Sequence, residues 1–299
     1  MHKIDLIKLY GRKRALVVDE FPDMRAFIRR MLRSFGVEKI DLASDGSDAL
    51  TRCREYPYDI IICDYNLGEG RNGQQLLEEL KFSGVLRRTA TFVMVTAESS
   101  SNAVLGALES RPDDYLTKPL TQTVLQKRLD RIMLEKLVFE PALQALDSVD
   151  YQQAVEQCEL IAEEHPPYAL SARQLQGEAL IADGRYLDAA SLYELIIREH
   201  PCEWAFLGKV KALMAQGKWS AAKIILLQLA KNGSRMPAVY DALSDVELSL
   251  GNTETAGEFL QTAAKISPNG LLRQRKLSDL AQINNDVAVA ERALRRVIK

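Results

Sequence analysis

The sequence contains few of the residues that build metal or disulfide frameworks. Its 299 residues include three histidines and four widely separated cysteines, which form no CxxC pair: Cys53, Cys63, Cys158 and Cys202. This spacing excludes the usual zinc frameworks and a small disulfide-stapled fold. Isolated cysteines are typical of a reduced protein, so we expect a cytoplasmic location.

Long apolar runs are also absent, and none approaches the roughly 18 residues of a membrane-spanning helix. The N-terminus, MHKIDLIKLYGRKR, lacks the apolar core of a signal peptide, so we expect no membrane partner. The net charge is only -2, which gives no reason to expect nucleic acid or an anionic surface as a partner. The length predicts two globular domains.

The first 130 or so residues alternate short apolar segments with helical patterns. The apolar segments predict strands at Arg14–Val18, Lys39–Ala43, Asp59–Cys63, Thr91–Val95 and Asp114–Thr117. Helices are predicted at Met24–Gly36, Gly46–Tyr56, Gly73–Gly84 and Ala103–Ser110, and from Thr121 onward. This alternation indicates an α/β domain, over residues 1–136, whose parallel sheet is covered on both faces.

The second half, residues 137–299, shows no strand pattern and contains an internal repeat. A small residue recurs every 33 to 35 positions, at Ala154, Ala189, Ala222, Ala256 and Ala290. Such a period predicts stacked helix pairs. With glycines at 184, 217 and 251, the pattern resembles tetratricopeptide repeats, and an irregular helical bundle is the alternative. No Gly/Ser-rich linker separates the halves, and only Pro141 interrupts the join.

Charged and hydroxyl side chains stand at the ends of four predicted strands. Asp19 and Glu20 follow the first strand, Asp64 follows the third, Thr96 follows the fourth and Lys118 follows the fifth. The carboxyl ends of parallel strands share one edge of an open sheet, where ligands bind. We therefore expect these five side chains to converge.

The chemistry of this cluster is specific. Three adjacent carboxylates repel one another unless a cation lies among them, and oxygen ligands select Mg²⁺. Lys118 and Thr96 would bind a phosphoryl group through an ammonium and a hydroxyl. Asp64, at the centre, would be the nucleophile that accepts that group.

These segments resemble the receiver domain of two-component response regulators. The matching stretches are LVVDEFPDMR, ASDGSDAL, DIIICDYNLGEGRNG, VMVTAE and DDYLTKPL, within residues 12–135. The resemblance implies a flavodoxin-like sheet of strand order 2-1-3-4-5. It implies that a histidine kinase or phosphotransfer protein phosphorylates Asp64. It also implies that Asp19, Glu20, Asp64 and the Asn66 carbonyl hold Mg²⁺. Thr96 and Lys118 would bind the phosphoryl group. Tyr115 would be the aromatic residue whose side chain switches position on phosphorylation.

The two resemblances together predict a response regulator and not a classical enzyme. Phosphorylation would control how the repeat domain binds an unidentified protein target, and a homodimer is compatible with this scheme. One alternative is a phosphohydrolase of the haloacid-dehalogenase type, which needs an aspartate where Asn66 stands. The other is a scaffold that ignores phosphate, which predicts the loss of Asp64, Thr96 or Lys118, although all three are present.

Overall fold

The computed structural model describes residues 5–97 and 109–298. The chain forms two compact units, of which the first is built mainly from residues up to Leu137 and the second mainly from Val138 onward. Their boundary in the sequence lies inside a helix, one residue after the predicted position. Within the described ranges, no helix is both long and apolar enough to cross a membrane.

The first unit contains a five-stranded parallel sheet of order β2-β1-β3-β4-β5. The strands are β1 (Arg14–Val18), β2 (Lys39–Ala43), β3 (Ile60–Asp64), β4 (Thr91–Thr96) and β5 (Asp114–Thr117). The predicted flavodoxin-like α/β fold is therefore confirmed. Every predicted strand is present, and the largest difference in its bounds is one residue.

The central strand β3 is buried along its whole length, which explains its continuous apolar sequence. Ile60 and Ile62 belong to the core on one face of the sheet, and Ile61 and Cys63 belong to the core on the other. Successive side chains of a strand point to opposite faces. Both faces of β3 are therefore covered, and its carboxyl end emerges where Asp64 stands.

Helices flank this sheet. They are α1 (Leu6–Gly11), α2 (Pro22–Phe35), α3 (Gly46–Glu55), α4 (Gly73–Phe82) and α5 (Gln122–Asp147). Most of the helix predicted around Ala103–Ser110 lies outside the described residues. The helix α5 continues past the end of the first unit and contains Pro141.

The N-terminal helix α1 was not predicted from the sequence. It has six residues, too few to show a helical period, and Asp5 caps it by accepting a hydrogen bond from the Lys8 amide. Tyr10 is buried, and its hydroxyl donates to Asp130 Oδ1 of α5 at 2.8 Å. Burial and this bond raise the pKa of Tyr10. The helix therefore completes one face of the core.

The second unit is helical throughout its described part. Its helices are α6 (Tyr151–Glu164), α7 (Ala169–Ala182), α8 (Tyr186–Glu199), α9 (Glu203–Ala215), α10 (Trp219–Lys231), α11 (Pro237–Ser249), α12 (Thr253–Ile266), α13 (Leu271–Ile283) and α14 (Val287–Ile298), with a 3₁₀ turn at Pro166–Tyr168. Consecutive helices from α6 to α12 pack together, and α7 and α11 both also pack against α9. The alternate helices α7, α9 and α11 thus form one layer.

The residues of the sequence repeat occupy equivalent places in these helices. Four of the recurring alanines are fully buried and the fifth nearly so, where consecutive helices approach one another: Ala154, Ala189, Ala222, Ala256 and Ala290. The glycines 184, 217 and 251 have φ values of 77°, 72° and 84°, in the left-handed region that ends a helix. The period near 34 residues is therefore the length of one helix pair with its connections.

Candidate functional site

Four strands bring polar side chains to one edge of the sheet. Asp19 follows β1, Asp64 ends β3, Thr96 ends β4 and Lys118 follows β5. In the sheet register, Asp64 lies beside Val95, one residue before Thr96. These residues therefore share the edge at which the strands end, as their positions in the sequence predict.

The centre of this edge is a carboxylate pair that shares one ammonium group. Lys118 Nζ lies 2.6 Å from Asp64 Oδ2 and 3.0 Å from Asp19 Oδ2. Asp19 is 1% exposed and Asp64 is 5% exposed, so both carboxylates are largely shielded from water. One positive charge thus faces two negative charges in a poorly hydrated place, which leaves the site short of positive charge.

The pKa values of these groups reflect this imbalance. Burial raises the pKa of Asp64 above its ordinary value, and the charge of Asp19 adds to this, so that Lys118 compensates only in part. Burial alone would lower the pKa of Lys118, but its bonds to Asp64 and Asp19 outweigh burial and raise it. The ammonium therefore stays charged, and two carboxylates share this one positive charge.

Asp19 is held in place by its own loop. Its Oδ1 accepts a hydrogen bond from the Phe21 amide at 2.9 Å. Arg25, on α2, donates to the backbone carbonyls of Asp19, at 2.5 Å, and of Glu20, at 3.1 Å. Nothing in the sequence distinguishes Arg25, because a basic residue one turn into a helix is ordinary on a solvated face.

The other predicted metal ligands border this centre. The Asn66 amide lies 3.4 Å from Asp64 Oδ1, so the chain after β3 turns over the carboxylate. Glu20 is exposed and its Oε2 faces Gly68, whose φ of 74° and lack of a side chain leave room for it. In the ranges 5–97 and 109–298, no three carboxylate, imidazole or thiol side chains are grouped as ligands of one metal ion. The donors nearest the centre are hard oxygens, the type that Mg²⁺ prefers.

Thr96 and Tyr115 occupy neighbouring strands. Thr96 is fully buried, and its carbonyl accepts a hydrogen bond from the Lys118 amide at 2.7 Å. Tyr115 pairs with Met94, and Thr96 pairs with Thr117. Since side chains two residues apart share a face, Thr96 and Tyr115 leave the sheet on the same side. Tyr115 is half-buried there, against the core that contains Met94.

Residues 15–130 match the family model described as the response regulator receiver domain. The chemotaxis protein CheY-3 of Vibrio cholerae is 30% identical over 117 residues, which are 39% of this chain and 88% of that protein. The chemotaxis protein CheY of Pseudomonas aeruginosa is 31% identical over 117 residues, which are 39% of this chain and 93% of that protein. The chain belongs to the response regulator receiver family.

Solved receiver structures are also similar to part of this chain. The receiver domain of a Francisella response regulator shares 26% identity, with a TM-score of 0.37, over 42% of this chain and 98% of that one. A two-component response regulator from Clostridium difficile shares 27% identity, with a TM-score of 0.38, over 41% and 96%.

Proposed function

We propose that Asp64 accepts a phosphoryl group from the phosphohistidine of a sensor histidine kinase or a phosphotransfer protein. The observation that carries this proposal is the Lys118 ammonium, 2.6 Å from an Asp64 carboxylate that β3 presents at the sheet edge. An Asp64 oxygen attacks the phosphorus, the phosphorus–nitrogen bond breaks, and the imidazole of the donor leaves with the electron pair. The product is an acyl phosphate on Asp64.

A divalent cation fits the charge of this site. Asp19 and Asp64 would hold Mg²⁺, with Glu20 and the Asn66 carbonyl at its border, because two buried carboxylates share a single ammonium. When bound, Mg²⁺ supplies positive charge to the oxygens of the transferring group. Arg25 and the Phe21 amide hold the Asp19 loop in position for that role.

The side chains of the neighbouring strands would recognise the phosphoryl group. Lys118 exchanges one of its carboxylate partners for a phosphoryl oxygen, and the Thr96 hydroxyl donates a hydrogen bond to another. Movement of Thr96 toward the phosphate frees space on the face that it shares with Tyr115. Tyr115 then turns inward, and the surface around β5 changes.

We further propose that the second unit is the output domain, with tetratricopeptide-type helix pairs that bind a protein target in the cytoplasm. The buried repeat alanines and the alternate packing of α7, α9 and α11 support this reading. The protein acts as a switch and not as a turnover enzyme. Asn66 stands where a haloacid-dehalogenase-type phosphohydrolase needs its second aspartate, and the presence of Asp64, Thr96 and Lys118 disfavours a phosphate-independent scaffold.

Labelling with acetyl phosphate tests the phosphoacceptor. Wild-type protein with Mg²⁺ should gain the mass of one phosphoryl group, and chelation with EDTA should abolish the gain. The variant Asp64→Asn should gain nothing. Asp59→Asn, one residue before the start of the same strand, is the matched control and should be labelled like wild type, because an amide oxygen still accepts from the Arg14 amide. Equal labelling of Asp64→Asn would refute the assignment.

A further inference from the structure

The outer helices of the second unit carry an unexpected set of exposed aliphatic side chains. Helices α7, α9 and α11 pack in one layer, and α6, α8 and α10, which occupy equivalent places in successive repeats, each pack against members of that layer. Five large side chains of α6, α8 and α10 are between 41% and 68% exposed: Leu160, Leu187, Leu195, Ile224 and Leu227. We call these five residues the aliphatic stripe. Single exposed leucines are ordinary, but a contiguous set usually marks an interface.

The stripe runs between two edges of opposite charge. Helix α6 carries four glutamates and no basic residue. Helix α10 carries two lysines and no acidic residue; Lys231 is exposed at its end, whereas Lys223 pairs with the buried Glu247 of α11. Helix α8, which lies between them in the repeat, carries both signs. A partner for this surface therefore needs an apolar centre, a basic edge and an acidic edge.

A second copy of the same surface meets this requirement. Rotation by half a turn about an axis along α8 places α6 of one copy against α10 of the other, and α8 against α8. The repeat register also matches, because Glu163 and Lys231 each stand nine residues after a repeat alanine, Ala154 and Ala222. They therefore lie at similar heights on their helices. A two-fold axis across the helices would instead bring α6 against α6, with like charges opposed.

The dimensions of the stripe suit a specific contact. A helix of 14 residues is about 21 Å long, and three helices about 10 Å apart give roughly 600 Å² of surface per copy. Two copies would then bury about 1,200 Å², at the lower end of specific protein interfaces. From the apolar centre, the opposed charges and this area, we infer that the aliphatic stripe is a two-fold interface between two copies of this chain. The contact does not depend on the proposed phosphorylation.

Sedimentation equilibrium of the full-length protein, without phosphodonor, tests this interface. Wild-type protein should show a concentration-dependent monomer–dimer equilibrium. Leu195→Lys, at the centre of the stripe, should weaken dimerisation at least tenfold. Ile283→Lys is the matched control, because Ile283 is 65% exposed on α13, outside the stripe. The Ile283→Lys variant should dimerise with the same affinity as wild type.

A charge exchange tests the arrangement of the two copies. Glu163→Lys and Lys231→Glu are surface changes, and each alone should weaken the dimer several-fold because it opposes like charges. The double variant should restore wild-type affinity. Tryptophan fluorescence during urea unfolding would show that every variant is folded. A wild-type protein that stays monomeric, equal dimerisation of all variants, or a double variant as weak as the single ones would overturn the inference.

Discussion

The phenol ring of Tyr193 lies in the space that a side chain at position 208 would occupy. A Cβ atom on Gly208 would overlap this ring, and a Cβ atom on Gly177 would come within 2.5 Å of its Cζ. Tyr193, on α8, is thus inserted between α7 and α9, and only glycine at both positions leaves room for it. The tight approach of these three helices depends on this arrangement.

We therefore expect Gly208→Ala to destabilise the second unit by about 1–3 kcal/mol through overpacking, although alanine favours a helix more than glycine does. Both tryptophans, Trp204 and Trp219, lie in this unit, so their fluorescence during urea unfolding measures its stability. Gly257→Ala is the matched control, because a Cβ there would lie 3.1 Å from the Asn284 amide nitrogen and 4.0 Å from Leu280 Cδ2, with no overlap like that at Gly208. Equal stability of the two variants would contradict the role of Tyr193.

Lys118→Met should leave two buried carboxylates without their shared ammonium. The loss of one partner from a buried ion pair costs about 3–5 kcal/mol, so the thermal unfolding temperature of the first unit should fall. Millimolar Mg²⁺ should raise the unfolding temperature of Lys118→Met part of the way back. The same Mg²⁺ concentration should raise the unfolding temperature of wild-type protein by a smaller amount. Differential scanning calorimetry with Mg²⁺ and with EDTA measures both effects. Lys127→Met, on the surface of α5, is the control. A Mg²⁺ response no larger in Lys118→Met than in wild type would argue against a cation site at Asp19 and Asp64.

Removal of the Thr96 hydroxyl should slow phosphorylation without unfolding the sheet. Thr96→Val keeps the shape of a fully buried residue but cannot donate to a phosphoryl oxygen. A hydrogen bond to a charged group contributes about 1.5–3 kcal/mol, so labelling by acetyl phosphate should be roughly tenfold slower or more. Thr96→Ser retains the donor and should stay close to wild type. Equal rates for Thr96→Val and Thr96→Ser would remove Thr96 from the proposed site.

The stability of the second unit should fall in acid because of Glu247. This side chain is 1% exposed and lies 2.7 Å from Lys223 Nζ and 2.8 Å from Asn252 Nδ2. Burial alone would raise the pKa of Glu247, but these two partners outweigh burial and lower it below 4.5. A lowered pKa in the folded state contributes stability above the unfolded value, and this is lost as the pH falls through the folded value.

Urea midpoints from tryptophan fluorescence, measured at pH 7 and below pH 4, would test this. Wild type should lose stability between the two conditions. Glu247→Gln should be less stable than wild type at pH 7, and its stability should fall less when the pH is lowered. Glu258→Gln, an exposed change on α12, should behave as wild type. An unchanged pH dependence in Glu247→Gln would assign the acid sensitivity to other groups.

The sequence predicted the sheet well because buried parallel strands have a distinctive composition. The run at β3 could be read as a strand, and the polar residues after β1, β3, β4 and β5 could then be placed at one edge. The sequence could not show how closely they approach, since Lys118 and Asp19 are 99 residues apart. It also missed α1, whose position depends on the contact of Tyr10 with Asp130 and not on local periodicity.

The positions of the polar residues at the strand ends predicted that three acids converge, but only two of them contact Lys118. Asp19 and Asp64 are buried, whereas Glu20 is exposed beside Gly68. Both Asp19 and Glu20 follow β1, and the sequence alone gives their order but not the direction in which the loop turns each carboxylate. The backbone bonds from Arg25, which set that direction, belong to tertiary structure.

The burial of β3 on both faces has a mechanical consequence. A strand enclosed by two close-packed cores cannot slide or tilt without opening voids in both, so Asp64 stands on a rigid part of the sheet. Strand β5 is the opposite case, since it is an edge strand of four residues and is only partly covered. Of the two edge strands, β2 and β5, only β5 lies on the β4 side of the sheet, so a displacement passed from Asp64 through Thr96 would be taken up at β5. The fold thus places Asp64 on a rigid central strand, two strands away from the more mobile edge strand that carries Tyr115.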